Sequence, residues 1–343
     1  MNKYQLGVLL CCLLLSFSSA WTQDVQLKST EFVYEEAPFE SCHASTIALT
    51  PKGMVAAWFG GTHEKHKDVG IWIARRKEGK WTDPQEVVNG VQHADKRYPC
   101  WNPVLYYDEE WGLLLFYKVG PNPREWWGEM MVSEDYGETW SFPRRLPEDI
   151  LGPVKNKPER LANGTLLCPS STEHDGWRLH MELTADAGKT WKRVGPLPSA
   201  EELQAIQPSI LHHPEGKLQL LCRSKNNRVL STWSADQGLT WSPLELTEVP
   251  NPNSGIDAVT FGPNQHYMVY NPTETAKGKW GGERYPLVLG FSANGLDWKP
   301  LLTLESEPGE YSYPGIIVGP DNTLHICYTW KRERIKYVRI EVK

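Results

Sequence analysis

The chain has 343 residues, with 36 Lys and Arg against 42 Asp and Glu, for a formal charge of −6. No run of basic residues stands out, which argues against nucleic acid as a partner. Sixteen Trp and fourteen Tyr favour a β-rich fold, and equally a surface that stacks on sugar rings. The length fits one large β domain or two smaller ones.

The N-terminus reads MNKYQLGVLLCCLLLSFSSA. Lys3, the apolar run Leu6 to Phe17 and the small residues Ser18-Ser19-Ala20 have the order of a secretory signal peptide over residues 1–20. The expectation is a mature chain from about Trp21, periplasmic or extracellular, forming one domain over 21–343. No later segment is apolar enough to span a bilayer. Five cysteines lie beyond residue 20, at 42, 100, 168, 222 and 327. An odd number leaves at least one unpaired, and LLCPSS, LLCRS and HICYT read as buried strand positions. No Cys or His spacing suggests a zinc site, so no metal or other cofactor is expected.

Along the chain, VQLKSTEFVY gives a first strand. ESCHAST (40–46) then runs into the strand-like IALTPKGMVAAWF. It raises a question: why does a histidine, His43, stand where a buried strand is about to begin? Turn signals followed by short apolar strands then recur as TPKGMVAAW, EEWGLLLFY, LANGTLLCP, HPEGKLQLL, GPNQHYMVY and GPDNTLHICY. A second repeat interleaves with these: SEDYGETW (133–140), TADAGKTW (184–191), SADQGLTW (234–241), the shorter SANGLDW (292–298) and the degenerate ARRKEGKW ending at Trp81. One four-stranded unit per repeat, six times over, predicts an all-β, six-bladed β-propeller of antiparallel blades. The Asp/Gly hairpin would join the outer strands of a blade and wedge its Trp between blades. VQLKSTEFVY and the terminal IKYVRIEVK would pair and close the ring, which removes an exposed edge. PSAEELQAI is one short helix candidate. One acidic residue per D-x-G turn is too few for a calcium loop.

The [S/T]-x-D-x-G-x-T-W segments resemble the Asp-box repeats of the sialidase superfamily, across essentially the whole mature chain. That resemblance implies a site where the first strands of the blades converge. It implies Arg223 and Arg284 as donors to a substrate carboxylate, Tyr313 (or else Tyr311) as nucleophile, and Asp68 as acid/base. Two positions depart from the pattern: Gln207 stands where the family carries the glutamate partner of the tyrosine, and His43 falls in place of the family's first arginine. A neutral histidine can serve as acid or base near physiological pH, whereas a glutamine cannot take the tyrosine's proton. Trp101, Asn102, Lys155, Lys157, Asn253 and Asp257 fall at first-strand positions of other blades and are candidates for contacts to hydroxyls, sulfate or a second carboxylate. Each residue also has a plainer role: strand-end histidine, inter-blade arginine, solvated loop acid, packed tyrosine.

Three functions follow from these residues. The first is an exo-acting, sialidase-like glycoside hydrolase that removes a terminal acidic sugar from a glycan or oligosaccharide. The second is a lyase or dehydratase that eliminates across C4 and C5 of a terminal uronic acid. There the arginines acidify the C5 proton and His43 or Tyr313 removes it. The third is a non-catalytic carbohydrate-binding propeller.

Overall fold

The computed structural model describes residues 24–343; the expected signal peptide lies outside them. Six antiparallel sheets follow one another around a ring. The first blade holds Ser41–Thr50, Gly53–Gly61 and Gly70–Lys77, with Lys80–Trp81 and Gln85–Val88 along its outer edge. Innermost strands of the next blades are Cys100–Asp108, Glu159–Arg160, Ala205–His212 and Asp257–Gly262. Tyr311–Gly319 opens the sixth blade. Its outermost strand is the N-terminal Val25–Phe32, paired antiparallel with the C-terminal Arg334–Val342. First and last segments thus close the ring as the sequence predicts, and no sheet edge is left open at the seam.

Helix is nearly absent. Among the described residues the one helical element is the single turn Pro214–Gly216. The helix expected at PSAEELQAI does not form: residues 201–202 turn, and Ala205 already begins the inner strand of the fourth blade. Burial explains this, because Ala205, Ile206, Ile210 and Leu211 are needed in the core between blades, and that outweighs the weak propensity of a short Glu-rich stretch. All five described cysteines are buried thiols, each at a strand position in the core.

The Asp-box turns act as bolts between neighbouring blades. In the second box of the series, Asp186 accepts from the Thr190 hydroxyl at 2.6 Å, from the Thr190 and Lys189 amides at 2.8 and 2.9 Å, and from the Thr184 hydroxyl at 2.9 Å. The closing Trp191 donates its indole N–H to Gly188 at 2.9 Å, and Trp241 and Trp298 repeat this with Gly238 and Gly295 at 3.0 Å each. Three of these turns also accept a hydrogen bond from the preceding blade. Arg75 donates to the Gly137 carbonyl, Arg144 to Ala187 and Gln219 to Gly295. Glycine is required at these corners because the backbone is left-handed there (φ 75° at Gly188), and a Cβ would strike Met130 of the neighbouring blade at 2.8 Å. Trp140 and Trp81 differ in detail: Trp140 packs beside the core of the first two blades, and Trp81 bonds Glu31 at 3.2 Å.

Hydrogen bonds, led by that of the Thr190 hydroxyl, bring the Asp186 carboxyl from 3.8 down to about 2. A depressed carboxyl stabilises the fold above its unfolded pKa and loses that contribution as pH falls through the folded one. Asp186→Ala should therefore lower the unfolding free energy by about 1 kcal/mol at pH 7, at the low end because water competes at this surface. In urea titrations the gap to wild type should close between about pH 4 and pH 2.

Candidate functional site

Six residues in equivalent places set the geometry at the centre of the ring. Ala44, Asn102, Lys155, Gln207, Asn253 and Tyr313 all have left-handed backbones, with φ of 56°, 38°, 75°, 58°, 59° and 51°. One comes from each blade, at or just before its innermost strand. In four blades the ladder register also slips at this point, between His43 and Thr46, opposite Phe116 to Lys118, between Ile206 and Ser209, and between Ser312 and Gly315. These are β-bulges, which turn a strand and re-aim its side chains. A left-handed tyrosine or glutamine is costly, on the order of 1–2 kcal/mol, so the surroundings must hold it there. The sequence carries a signal for three of the bulges: Asn102-Pro103, Gln207-Pro208 and Tyr313-Pro314 place a residue without an N–H where the ladder is interrupted anyway.

Tyr313 lies at the bottom of this ring and is only 9% exposed. Its phenol oxygen accepts from Arg223 Nη1 at 2.8 Å and from Gln207 Nε2 at 3.0 Å. Gln207 Oε1 in turn accepts from Arg223 Nη1 at 3.3 Å, which fixes the amide, because the opposite orientation would set its NH2 against a guanidinium. Arg223 Nε donates to Asn253 Oδ1 at 2.9 Å. His43 packs its ring on Tyr313, with centroids 4.1 Å apart, and its Nδ1 is buried without a hydrogen bond. Burial first, then the charges of Arg332, Arg284, Arg223 and Lys155, hold the imidazole well below its usual pKa. At neutral pH it is uncharged. That answers the question raised by ESCHAST: the histidine at the strand start is a neutral ring laid against the buried tyrosine.

Arg284 reaches the same electrostatic neighbourhood, with Nη1 at 2.8 Å from Glu310 Oε1. Glu310 also accepts from Arg332 Nε at 2.9 Å and from the Ser312 hydroxyl at 3.0 Å. Burial alone would raise the Glu310 carboxyl, but the two arginines outweigh it and hold it below its usual range. Arg332, in the turn of the last hairpin, escaped the sequence reading. Its carbonyl accepts the Cys42 amide at 2.8 Å, so a third guanidinium arrives beside His43 from the far end of the chain.

Asp68 is placed on the loop after the second strand of the first blade, as expected, but its partners belong to that loop. It accepts from the Thr62 hydroxyl at 2.7 Å and the Thr62 amide at 3.0 Å, and pairs with His66 Nδ1 at 2.7 Å. Burial raises this carboxyl, yet those bonds together bring it down to about 2. A second carboxyl, Glu173, has the opposite bias. Burial raises it, against the pull of Arg223, of its bond from Trp177 Nε1 at 3.0 Å, and of Lys225 and Arg124. Glu173 lines a cavity of about 540 Å³ together with Lys65, from the loop of Asp68, and with Arg124.

Lys155, Lys157 and Asp257 are joined at the axis. Lys157 pairs with Asp257 at 3.1 Å. The Lys155 ammonium donates to Asn156 Oδ1 at 2.7 Å and to the Ile256 and Pro314 carbonyls. Lys157 and Asp257 thus bind each other across the hub, where the sequence suggested sugar contacts. Asn102 occupies its bulge in the second blade, and Trp101 beside it donates to Gly120 at 2.8 Å. Among the described residues no three His, Cys, Asp or Glu side chains stand close enough to hold a metal ion, and no helix is long and apolar enough to cross a membrane.

Residues 52–326 match the model of the BNR repeat-like domain family. A search of curated proteins finds no match. Among solved structures, the chain superimposes with a TM-score of 0.74 on a protein of unknown function from Dyadobacter fermentans, at 16% identity over 93% of this chain and 99% of that one. With the NanB sialidase of Streptococcus pneumoniae the TM-score is 0.71, at 12% identity over 92% and 70%. With the intramolecular trans-sialidase of Ruminococcus gnavus it is 0.69, at 14% identity over 91% and 96%. At these identities the likeness is one of fold, and the family follows from the matched repeats: the chain belongs to the BNR repeat-like domain family, as a divergent member with the six-bladed propeller of the sialidases.

Proposed function

We propose that this chain is a carbohydrate-active enzyme, a sialidase-like glycoside hydrolase acting on a terminal acidic sugar, sialic or uronic. One observation carries the reading: a buried tyrosine whose phenol oxygen is held by an arginine and an amide, in a ring of three guanidiniums. Arg223 Nη2 has no hydrogen bond to protein among the described residues and is free to meet a carboxylate, with Arg284 beside it. The anomeric carbon would then sit over Tyr313. Hydrolysis breaks the bond from that carbon to the leaving oxygen, gives the oxygen a proton, and delivers hydroxyl from water to the carbon. The two carboxyls with opposite biases divide the proton work. Asp68, held low by its loop bonds, is the proton acceptor, and Glu173, which burial biases toward its protonated form, is the donor.

One observation favours a second reading. His43 is neutral against Tyr313, and Gln207 cannot accept a proton from the phenol as a glutamate would. That arrangement suits elimination on a uronic acid: neutral His43 takes the C5 proton, the freed electron pair forms the C4–C5 double bond, and the C4 oxygen leaves with its substituent, taking up the Tyr313 phenol proton or one from water. Incubation with sialosides and uronic-acid oligosaccharides, read by mass spectrometry, decides between the readings. Cleavage with gain of one water supports hydrolysis. An unsaturated product absorbing in the ultraviolet supports elimination. Binding without turnover would leave a lectin-like propeller, and absence of binding to any acidic sugar would overturn all three. We also read the protein as secreted, on residues 1–20; a secreted form starting near Trp21 by N-terminal sequencing is the expected result.

Arg223→Ala should reduce kcat/KM on the active substrate by an amount corresponding to about 2–5 kcal/mol, because a buried carboxylate would lose a charged donor. Simple aryl sialosides should be poor substrates, since the tyrosine lacks its acidic partner; rapid turnover of one would refute this.

His43 also makes a prediction that needs no substrate. The unfolded chain takes up its proton near pH 6.5, the folded chain only far lower, so stability is lost as pH falls below about 6.5. His266 and His325, lowered by burial to about 4, add to the same trend. In urea unfolding at pH 7.5 and 5.0, His43→Gln should therefore lose less stability on acidification than wild type, and an equal loss would contradict a neutral His43.

A further inference from the structure

Above Arg223 the structure has a second feature that the pocket does not use. Trp280 is 67% exposed, although it belongs to a well-anchored loop. Its carbonyl accepts Asn253 Nδ2 at 2.7 Å, and Gly282 donates to the Pro252 carbonyl at 3.0 Å. A Cβ at Gly282 would meet the Glu274 carbonyl at 2.7 Å and Pro252 at 2.8 Å, so the loop is pressed close to its support. Asn253 bonds Arg223 through its other atom at 2.9 Å, which ties the loop backbone directly to the pocket arginine.

From the third blade, Trp177 meets Trp280 edge to face at 5.7 Å and covers the Arg223 guanidinium at 5.3 Å. Between the two indoles stands Lys225, with Nζ 4.5 Å from the Trp177 ring and 5.3 Å from that of Trp280. Lys225 lies two residues beyond Arg223, roughly 7 Å along the same chain direction, about the span of one pyranose ring. Arg124 lies near enough to act on Lys225 electrostatically, as does Glu173. Other polar partners are few: Lys225 Nζ donates to Gln204 Oε1 at 2.9 Å, and the Glu173 carboxyl is engaged by Trp177.

An exposed indole with the exposed Lys225 ammonium against it, and the exposed Arg124 within electrostatic reach of that lysine, offers an apolar face and positive charge together. We infer that Trp280, Lys225 and Arg124 form a second subsite for the next sugar of the chain, and that this sugar carries an anionic substituent, a sulfate or a carboxylate. The ring stacks on Trp280 while its anion meets Lys225 and Arg124. This rests on the reading that an acidic terminal sugar occupies the Arg223 pocket, and it narrows the substrate class to fragments of polyanionic polysaccharides.

Binding tests it without requiring turnover. Tryptophan fluorescence or calorimetry would compare a free uronic or sialic acid with disaccharides that it caps, whose second residue is a neutral hexose, a sulfated hexose or a hexuronate. Wild type should bind at least one anionic disaccharide about tenfold more tightly than the neutral one, with the advantage shrinking as salt rises. The sulfated and carboxylated arms identify the anion. Lys225→Gln should remove the discrimination between charged and neutral disaccharides. Trp280→Ala should weaken all disaccharides about tenfold and the monosaccharide by no more than about twofold. Equal affinity for neutral and charged disaccharides, or equal weakening of mono- and disaccharide by Trp280→Ala, overturns the subsite and leaves the pocket reading standing. Failure of wild type to bind any acidic monosaccharide or disaccharide, or indifference of that binding to Arg223→Ala, overturns the pocket reading and the subsite with it.

Discussion

The Asp257 carboxylate, buried near the propeller axis, holds four blades at once. Oδ1 accepts from the Ser209 hydroxyl at 2.7 Å and from the Ala258 amide at 2.9 Å, and Oδ2 from the Ile316 amide at 2.9 Å. Lys157 completes the set with bonds at 3.1 and 3.2 Å. The third, fourth, fifth and sixth blades are thereby fixed to one another at their innermost strands. A buried ion pair of this kind adds little net stability over apolar packing, but leaving either partner alone is costly, so its effect is to select one arrangement of the hub. Beside it Lys155 makes three bonds to three acceptors, which only a protonated amine with three donors can do. Burial drives its pKa down to about 7, with Asp257 opposing. Charge at the axis therefore exists because the geometry demands it.

From this hub the site follows. Lys155 grips the carbonyl of Pro314, and Ser45 Oγ donates to the carbonyl of Tyr313 at 3.3 Å. Together they hold the two peptide groups that follow a left-handed tyrosine, which strain would otherwise release. A side chain at Gly255 would meet Lys155 at 3.3 Å and both Gln207 and Tyr313 at 3.4 Å, which leaves little room between hub and pocket floor. The same rigid floor aims Arg223 at the phenol. A pocket built this way holds its donors in place in advance, so that they need little reorganisation to meet a negative charge.

Features that recur at blade spacing were legible in the sequence. The Asp-boxes, the hairpin turns and the two closing strands each repeat or pair by pattern, and period 2 burial fixes their register. Arg223, Gln207, Tyr313 and His43 came from the resemblance to the sialidase superfamily, position by position, and the structure places their side chains together. Arg332, Glu310, Glu173 and Trp177 were not. They sit on turns and loops whose neighbours come from distant parts of the chain, as when Arg332 meets Glu64 at 2.7 Å across 268 residues, and no local pattern encodes such a contact. Lys157 and Asp257 show the converse. Alternating polar residues on an inner strand suggest a ligand, yet opposite charges from two blades can satisfy each other first. The missing helix at PSAEELQAI is the same lesson for secondary structure, since the neighbouring blades required a strand from Ala205 onward.

The two departures from the sialidase pattern make sense as a pair. A glutamate at position 207 would place an anion between Arg223 and Tyr313, and an arginine at position 43 would place a cation against the same ring. With Gln207 and His43 both become neutral, and the local charge sum is unchanged. What changes is the direction of the hydrogen bonds. A glutamate would accept from the phenol, whereas Gln207 donates to it, so Tyr313 becomes a double acceptor whose own proton must point elsewhere. The cation lost at position 43 is supplied by Arg332, and its excess is balanced by Glu310, shared with Arg284. The positive field around the pocket is thus kept while the hydrogen bonds of the tyrosine are rearranged beside a neutral imidazole. Field and hydrogen-bond pattern are carried by different residues, so the second could change without loss of the first.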